Sequence, residues 1–167
     1  MDIKIKLIES GSSASEIEEF IEAYLKVFNE SESLTLLSFT DIPITRDMIL
    51  QWLEQSHETG VEHFIARDPQ DQIIGIITVR YHIVEGAYIF SIAVDIGSRN
   101  QGVGKHLLDK AIQRAREKGF KAIDVSVYAD NPIMLSLVIK KGFKPFKIEF
   151  HRRFDGEDLV YFKKYFQ

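Results

Sequence analysis

The sequence predicts an α+β fold (α/β-like) on a mixed, mostly antiparallel central sheet flanked by helices, with one parallel βαβ unit, and three observations carry that expectation. Two β-rich runs, Val61 to Arg67 and Gln72 to His82, flank Asp68-Pro69-Gln70-Asp71, where Pro and Asp supply turn chemistry, so they read as a hairpin. A strand, a glycine-bearing turn, a helix and a second strand then follow between Tyr88 and Tyr128, the order of a βαβ unit with a right-handed crossover. Finally, the runs Pro145 to Phe150 and Leu159 to Tyr165 are joined through Asp155-Gly156-Glu157, a turn suited to an antiparallel hairpin.

The remaining elements follow in chain order. Lys4 to Ile8 alternates apolar and charged residues and reads as a half-buried strand. Ser15-Glu16-Ile17-Glu18 has capping-box spacing, and Ile17, Phe20, Ile21, Tyr24, Leu25 and Phe28 recur at helical intervals after it. Asn29 to Thr45 is polar with short apolar pieces and ends at the expected N-cap Thr45, before a second helix that packs Met48, Ile49, Trp52 and Leu53 and stops at Gly60. Tyr88 to Val94 is apolar on both alternating faces except at Ser91, which predicts a central strand. From Val103, the residues Leu107, Leu108, Ala111, Ile112 and Ala115 mark a long helix ended by Gly119, and Ala122 to Tyr128 is the strand expected parallel to Tyr88–Val94. A short helix spans Pro132 to Lys141 and stops at Gly142.

With 167 residues, 45% of them hydrophobic, the chain suits one domain over 1–167 around a single core, and no repeat, linker or low-complexity segment divides it. Zero cysteines remove cysteine nucleophiles, thiolate metal sites and redox pairs, and fit a reducing cytoplasm. Met1 to Lys6 alternates charge with isoleucine and no apolar stretch follows, so neither a signal peptide nor a membrane span is expected. The histidines His57, His63, His106 and His151 have no mutual spacing that suggests a metal. A net charge of −4 argues against nucleic acid as the main partner. That average hides an asymmetry: residues 1–70 carry 14 acids against 5 Lys/Arg, whereas residues 97–153 carry 13 Lys/Arg against 5 acids. A basic second half suggests an anionic ligand, with a compensated solvated surface as the plain alternative.

The chemistry concentrates in Arg99-Asn100-Gln101-Gly102-Val103-Gly104-Lys105, between a buried strand and a helix. Unpaired N–H groups and the macrodipole at a helix N-terminus favour an anion, and glycine lets a phosphate approach the backbone. Two phosphate-loop families fail on spacing. A Walker loop needs Gly where Arg99 stands and Ser or Thr where His106 stands; the dinucleotide fingerprint needs a third glycine at Leu107.

Ile92-Ala93-Val94, Arg99-x-x-Gly102-x-Gly104, Asn131 and Gly142-Phe143 together closely resemble the GNAT superfamily of acetyl-CoA-dependent N-acetyltransferases, and the order of elements matches from Lys4 to Tyr165. The resemblance implies direct acetyl transfer from acetyl-CoA, as co-substrate and without a metal, to a primary amine. It implies a pyrophosphate held by backbone N–H groups of Asn100, Gln101, Gly102, Val103, Gly104 and Lys105, flanked by Arg99. The pantetheine arm is expected along Ile92, Ala93 and Val94, where the central strand splays from its parallel neighbour, with Asn131 bonding the arm from the other side. Lys105, Lys140 and Lys141 are candidates for the 3′-phosphate. The expected partner is a small-molecule or protein amine, with no nucleic acid and no membrane, and a homodimer is a possible assembly.

Two positions depart from the family pattern. The usual proton-donating tyrosine would stand at Val138, and the usual glutamate on the central strand meets Tyr88. Replacement candidates are Tyr88 and Tyr128, with Ser126, Glu85 and His82 beyond; half-buried strand aromatics and a surface histidine are the plain alternatives. Glu30, Glu32 and Asp41 are candidates to favour a cationic acceptor. A CoA-binding module without turnover and a small interaction domain are the rival functions.

Overall fold

The computed structural model describes residues 2–37 and 41–166. Its strands are β1 (Lys4–Ile8), β2 (Val61–Arg67), β3 (Ile73–His82), β4 (Gly86–Val94), β5 (Ala122–Tyr128), β6 (Lys144–Glu149) and β7 (Leu159–Tyr165). Its helices are α1 (Ala14–Phe28), α2 (Ser31–Leu37), α3 (Arg46–Glu54), α4 (Ser56–Thr59), α5 (Val103–Glu117) and α6 (Pro132–Lys140). The strands form one sheet in the order β1-β2-β3-β4-β5-β7-β6, antiparallel throughout except for β4 and β5. Both expected hairpins and the βαβ unit are present. The closing hairpin enters the sheet through β7, which leaves β6 at the edge.

Apolar side chains cover both faces. Leu107, Leu108, Ala111 and Ala115 of α5 pack with Phe64, Ile77, Val79 and Ile89 on one face, and Phe20, Ile21 and Phe28 of α1 pack with Ile49, Leu53, Ile65 and Ile76 on the other. Helix α1 starts two residues earlier than the Ser15 spacing suggests. Ser13 closes the capping box with Glu16, while Glu18, the partner expected for Ser15, takes Arg46 at 2.6 Å. Thr45 does cap α3, accepting from the Met48 N–H.

Three features position the site. The first is a bulge in β4: Thr78 opposes Ser91 and Val79 opposes Ile89, so Phe90 is the extra residue. The second is the brevity of the parallel pairing, which joins only Ala87–Ile89 to Ile123–Val125 and leaves β4 without a β5 partner from Phe90 onward. The third is Gly75 on β3, where an added Cβ would lie 2.9 Å from Val103 Cγ1 and 3.0 Å from Leu107 Cδ1; α5 therefore seats directly on the glycine backbone.

Arg153, 5% exposed, knits the far end together. It donates to Asp155 at 2.7 Å, to Asp130 at 3.0 Å and to the Thr35 carbonyl of α2 at 3.3 Å, and its guanidinium lies 4.9 Å from the Tyr128 ring centre. Arg153→Met is expected to destabilise by about 2 kcal/mol, below the ~3–5 kcal/mol of breaking a fully buried pair, because both carboxylates keep access to water. The Arg153 hydrogen bond holds the Asp155 carboxyl below its usual range. That contribution is therefore present above the carboxyl's ordinary pKa and lost as pH falls through its folded value. Urea melts at neutral and acid pH check this: the difference between wild type and variant should shrink on acidification.

Candidate functional site

The segment after β4 is bent by two left-handed residues, Asn100 at φ 62° and Gly102 at φ 86°. Asn tolerates that region and Gly occupies it without a Cβ clash. Gly102 caps α5 with no side-chain bond, and the helix ladder begins only with His106 N–H to the Gly102 carbonyl at 3.1 Å. The N–H groups of Val103, Gly104 and Lys105 therefore have no carbonyl partner within the helix, and its first turn carries no acidic side chain.

This loop borders a cavity of about 310 Å³. Ten of the residues expected around the cofactor meet there: Ile92, Ala93 and Val94 of β4, Arg99, Asn100, Gly102, Val103, Gly104 and Lys105 of the loop, and Asn131, the N-cap of α6. Gln101 does not border it; its side-chain amide donates to the Gly97 carbonyl at 3.0 Å and braces the loop.

Arg99 borders the cavity but is committed elsewhere. It donates to the Val94 carbonyl at 3.2 Å, to Glu30 at 3.0 Å and to Ser33 at 3.2 Å, and it also pairs with Glu32. The arginine thus ties α2 to the end of β4. Glu30 and Glu32 are consumed in that tie, and exposed Asp41 borders none of the cavities described here. Of the lysines considered for a phosphate, Lys105 borders the cavity, Lys140 is exposed and Lys141 pairs with Asp109.

Where β4 and β5 part, a second cavity of about 230 Å³ opens between them. It shares Ile92, Asn131, Met134, Leu36 and Leu37 with the first. Tyr88 and Tyr128 both border it, and the Tyr88 phenol meets Ser126 Oγ at 2.6 Å. Burial raises the Tyr88 hydroxyl above its ordinary range and pushes that of Tyr128 up to about 12, so both stay protonated near neutral pH and can donate but not accept a proton. His82 and Glu85 lie outside this cavity; His82 Nδ1 accepts from the Glu85 N–H at 3.2 Å. Val138 is fully buried in the α5-side core and borders neither cavity, whereas α6 presents Asn131, Met134 and Leu137 to them. Val138→Tyr is thus expected to overpack the core, lowering stability by about 1–3 kcal/mol, rather than bring a hydroxyl to the cleft.

A third cavity of about 560 Å³ adjoins the second across Leu37, Phe90 and Ser91. His63, 2% exposed, borders it and is the residue that sequence reasoning passed over. The available signal was its place at the head of the apolar run Phe64-Ile65-Ala66, which turns it inward. Among the described residues, no group of three or more acidic or imidazole side chains is arranged to hold a metal ion, and no helix is long and apolar enough to cross a membrane.

Comparison with known proteins agrees with this architecture. The chain is 24% identical over 127 residues, 74% of its own length and 77% of the other, to "Putative phosphinothricin acetyltransferase YwnH" of Bacillus subtilis (strain 168). Its fold is similar to that of an N-acetyltransferase from Staphylococcus aureus Mu50, with a TM-score of 0.81 at 20% identity over 99% of both chains. It is also similar to that of a GNAT superfamily phosphinothricin acetyltransferase (Pat) from Sinorhizobium meliloti in complex with AcCoA, with a TM-score of 0.78 at 16% identity over 96% of this chain and 88% of that one. The model of the Acetyltransferase (GNAT) family matches residues 19–143, a span running from α1 through the bare helix end, the parted strands and α6 to Phe143, and the chain belongs to that family.

Proposed function

We propose that this enzyme moves an acetyl group from acetyl-CoA directly to a primary amine. The observation that carries the reading is the meeting of the bare α5 N-terminus with the stretch of β4 that β5 leaves unpaired. Backbone N–H groups from Asn100 to Lys105 suit a pyrophosphate, with Lys105 adding charge. The unpaired side of β4 at Ile92, Ala93 and Val94 suits the amide groups of a pantetheine arm, faced by Asn131. Arg99 acts in this reading by holding the loop against α2.

In the reaction the ammonium first loses a proton to solvent. The neutral nitrogen attacks the thioester carbonyl carbon and the N–C bond forms; the nitrogen then gives up its second proton to solvent, the C–S bond breaks, and the thiolate leaves to be protonated. Tyr88 and Tyr128 serve as proton or hydrogen-bond donors at this end, since their phenols are held protonated. No base of matched pKa borders the second cavity among the described residues. Turnover is therefore expected to rise from neutral to alkaline pH, following an alkyl ammonium of pKa near ~10. Tyr88→Phe is expected to lower kcat by about tenfold or more with KM for acetyl-CoA unchanged. Thiol release measured against pH and with this variant checks both statements; a rate flat in pH, or an unchanged kcat, removes the corresponding role. The reading as a whole is tested by thiol release from acetyl-CoA across a panel of amines, and it fails if none supports release.

The homodimer reading is supported by β6, whose edge carries half-exposed Phe146 and Ile148. Light scattering on the purified chain decides it, a monomer mass overturning it.

A further inference from the structure

The third cavity has a chemistry unlike the other two. Tyr24, Phe28, Trp52 and Phe90 give it aromatic walls, with Tyr24 and Phe28 stacked at 4.1 Å between ring centres. None of its described lining residues is charged. Its volume, about 560 Å³, falls within the roughly 300–1,000 Å³ of small-molecule sites, whereas packed interiors hold few voids larger than a water. Its outer side is formed in part by exposed Gln55 and Thr59.

One residue of its wall carries an unmet polar atom. His63 Nδ1 is engaged by Thr78 Oγ1 at 3.0 Å, while His63 Nε2 is buried without a hydrogen-bond partner. Buried polar atoms left so are rare and call for an explanation. Burial drives the imidazole pKa down to about 4, so the ring is neutral and its Nε2 either accepts or donates according to tautomer. A hydroxyl does both and so satisfies either form.

Resting on the acetyl-transfer reading above, we propose that this cavity holds the body of the acceptor, and that the acceptor is a small arylalkylamine bearing a ring hydroxyl that bonds His63 Nε2. Its aromatic ring packs among Tyr24, Trp52 and Phe90. Its amine points across Ser91 toward the parted strands, where the thioester arrives. A polyamine would strand a second ammonium against uncharged walls, and an anionic amino acid would find no cation there. The carboxylates first considered for a cationic acceptor, Glu30 and Glu32, are absent from this cavity and bound to Arg99.

The test uses the full chain with acetyl-CoA and four amines: tyramine, phenethylamine, spermidine and glutamate. The expected order of kcat/KM is tyramine, then phenethylamine about 5- to 10-fold lower for the missing hydrogen bond, with spermidine and glutamate far below both. His63→Leu should erase the preference of tyramine over phenethylamine while leaving KM for acetyl-CoA unchanged. Because Trp52 is the single tryptophan and borders the cavity, its fluorescence reports occupancy in the unmodified protein, and tyramine should shift it saturably. The proposal is overturned if spermidine or glutamate outperforms both arylalkylamines, if tyramine leaves Trp52 emission unchanged, or if the tyramine preference survives in His63→Leu. Failure of the underlying reading looks different: acetyl-CoA then gives neither thermal stabilisation nor thiol release with any amine.

Discussion

Acetyl-CoA at about 100 times its dissociation constant is expected to add about 2.7 kcal/mol of stability, which raises Tm by about 5–10 °C for a chain of this size, and Gly104→Glu is expected to abolish that rise. Gly104 is the informative position because the fold tolerates a side chain there. An added Cβ meets nothing closer than Leu137 Cδ2 at 3.7 Å, and the residue has ordinary helical φ, unlike Gly102. A glutamate in the first turn of α5 also complements the helix dipole and replaces a helical glycine, so the unliganded protein should melt at the same temperature or slightly higher. Ligand response and intrinsic stability are thus predicted to part company in one variant. Differential scanning fluorimetry with and without acetyl-CoA reads both; a persisting shift in Gly104→Glu would move the anion away from this helix end.

The second large effect is expected at Gly75→Val, a residue that borders none of the three cavities. Its side chain would start 2.9 Å from Val103 Cγ1, closer than real Cβ atoms sustain, and 3.0 Å from Leu107 Cδ1; with both side chains buried, the first turns of α5 are expected to lift from β3. Overpacking of this kind costs about 1–3 kcal/mol, or about 3–10 °C in Tm at this size. The lift displaces the N–H groups of Val103 to Lys105, so acetyl-CoA affinity should fall at least about tenfold, as misplacement of roughly 1 Å does in preorganised sites. Gly11→Ala, with open space around it, is the matched control and should change neither quantity. Equal acetyl-CoA affinity in Gly75→Val and wild type would show that α5 reaches its place without this contact.

Much of this was legible in the sequence because it is local. The hairpin of β2 and β3, the glycine turn into α5 and the parallel return through β5 are each written in turn residues and apolar period within a short stretch. What escaped is settled by distant partners. Helix α2 spans only Ser31–Leu37, too short for its leucines to mark it as a helix in a polar stretch; besides Leu37 packing on the core, Arg99 ties it in place, a residue 66 to 69 positions away from the Ser33 and Glu30 that it holds. The same contact explains why Arg99, a natural phosphate ligand by sequence, is spent on carboxylates. Val138 looked like a vacant catalytic position by counting from Asn131, but α6 turns it into the core. His63 is the converse case: its type was visible and its isolation was not, because that depends on Thr78 taking one nitrogen while the fold buries the other without a partner.

The bulge at Phe90 works as a frameshift in three dimensions. A strand assigns its side chains to two faces by odd and even position, and one surplus residue exchanges the assignment for everything downstream. Before the bulge the odd residues Ala87 and Ile89 face α5; after it the even residues Ile92 and Val94 do, while Ala93 joins the α1 side. The extra residue thereby turns Ser91 toward His63 and Thr78, and Ile92 toward the cavity beside the α5 N-terminus. Deleting Phe90 would remove the bulge and leave Ser91 and Ile92 on the sides they hold, whereas pairing Phe90 in regular register would exchange them, so the reading frame of one strand decides which compartment each of its residues serves.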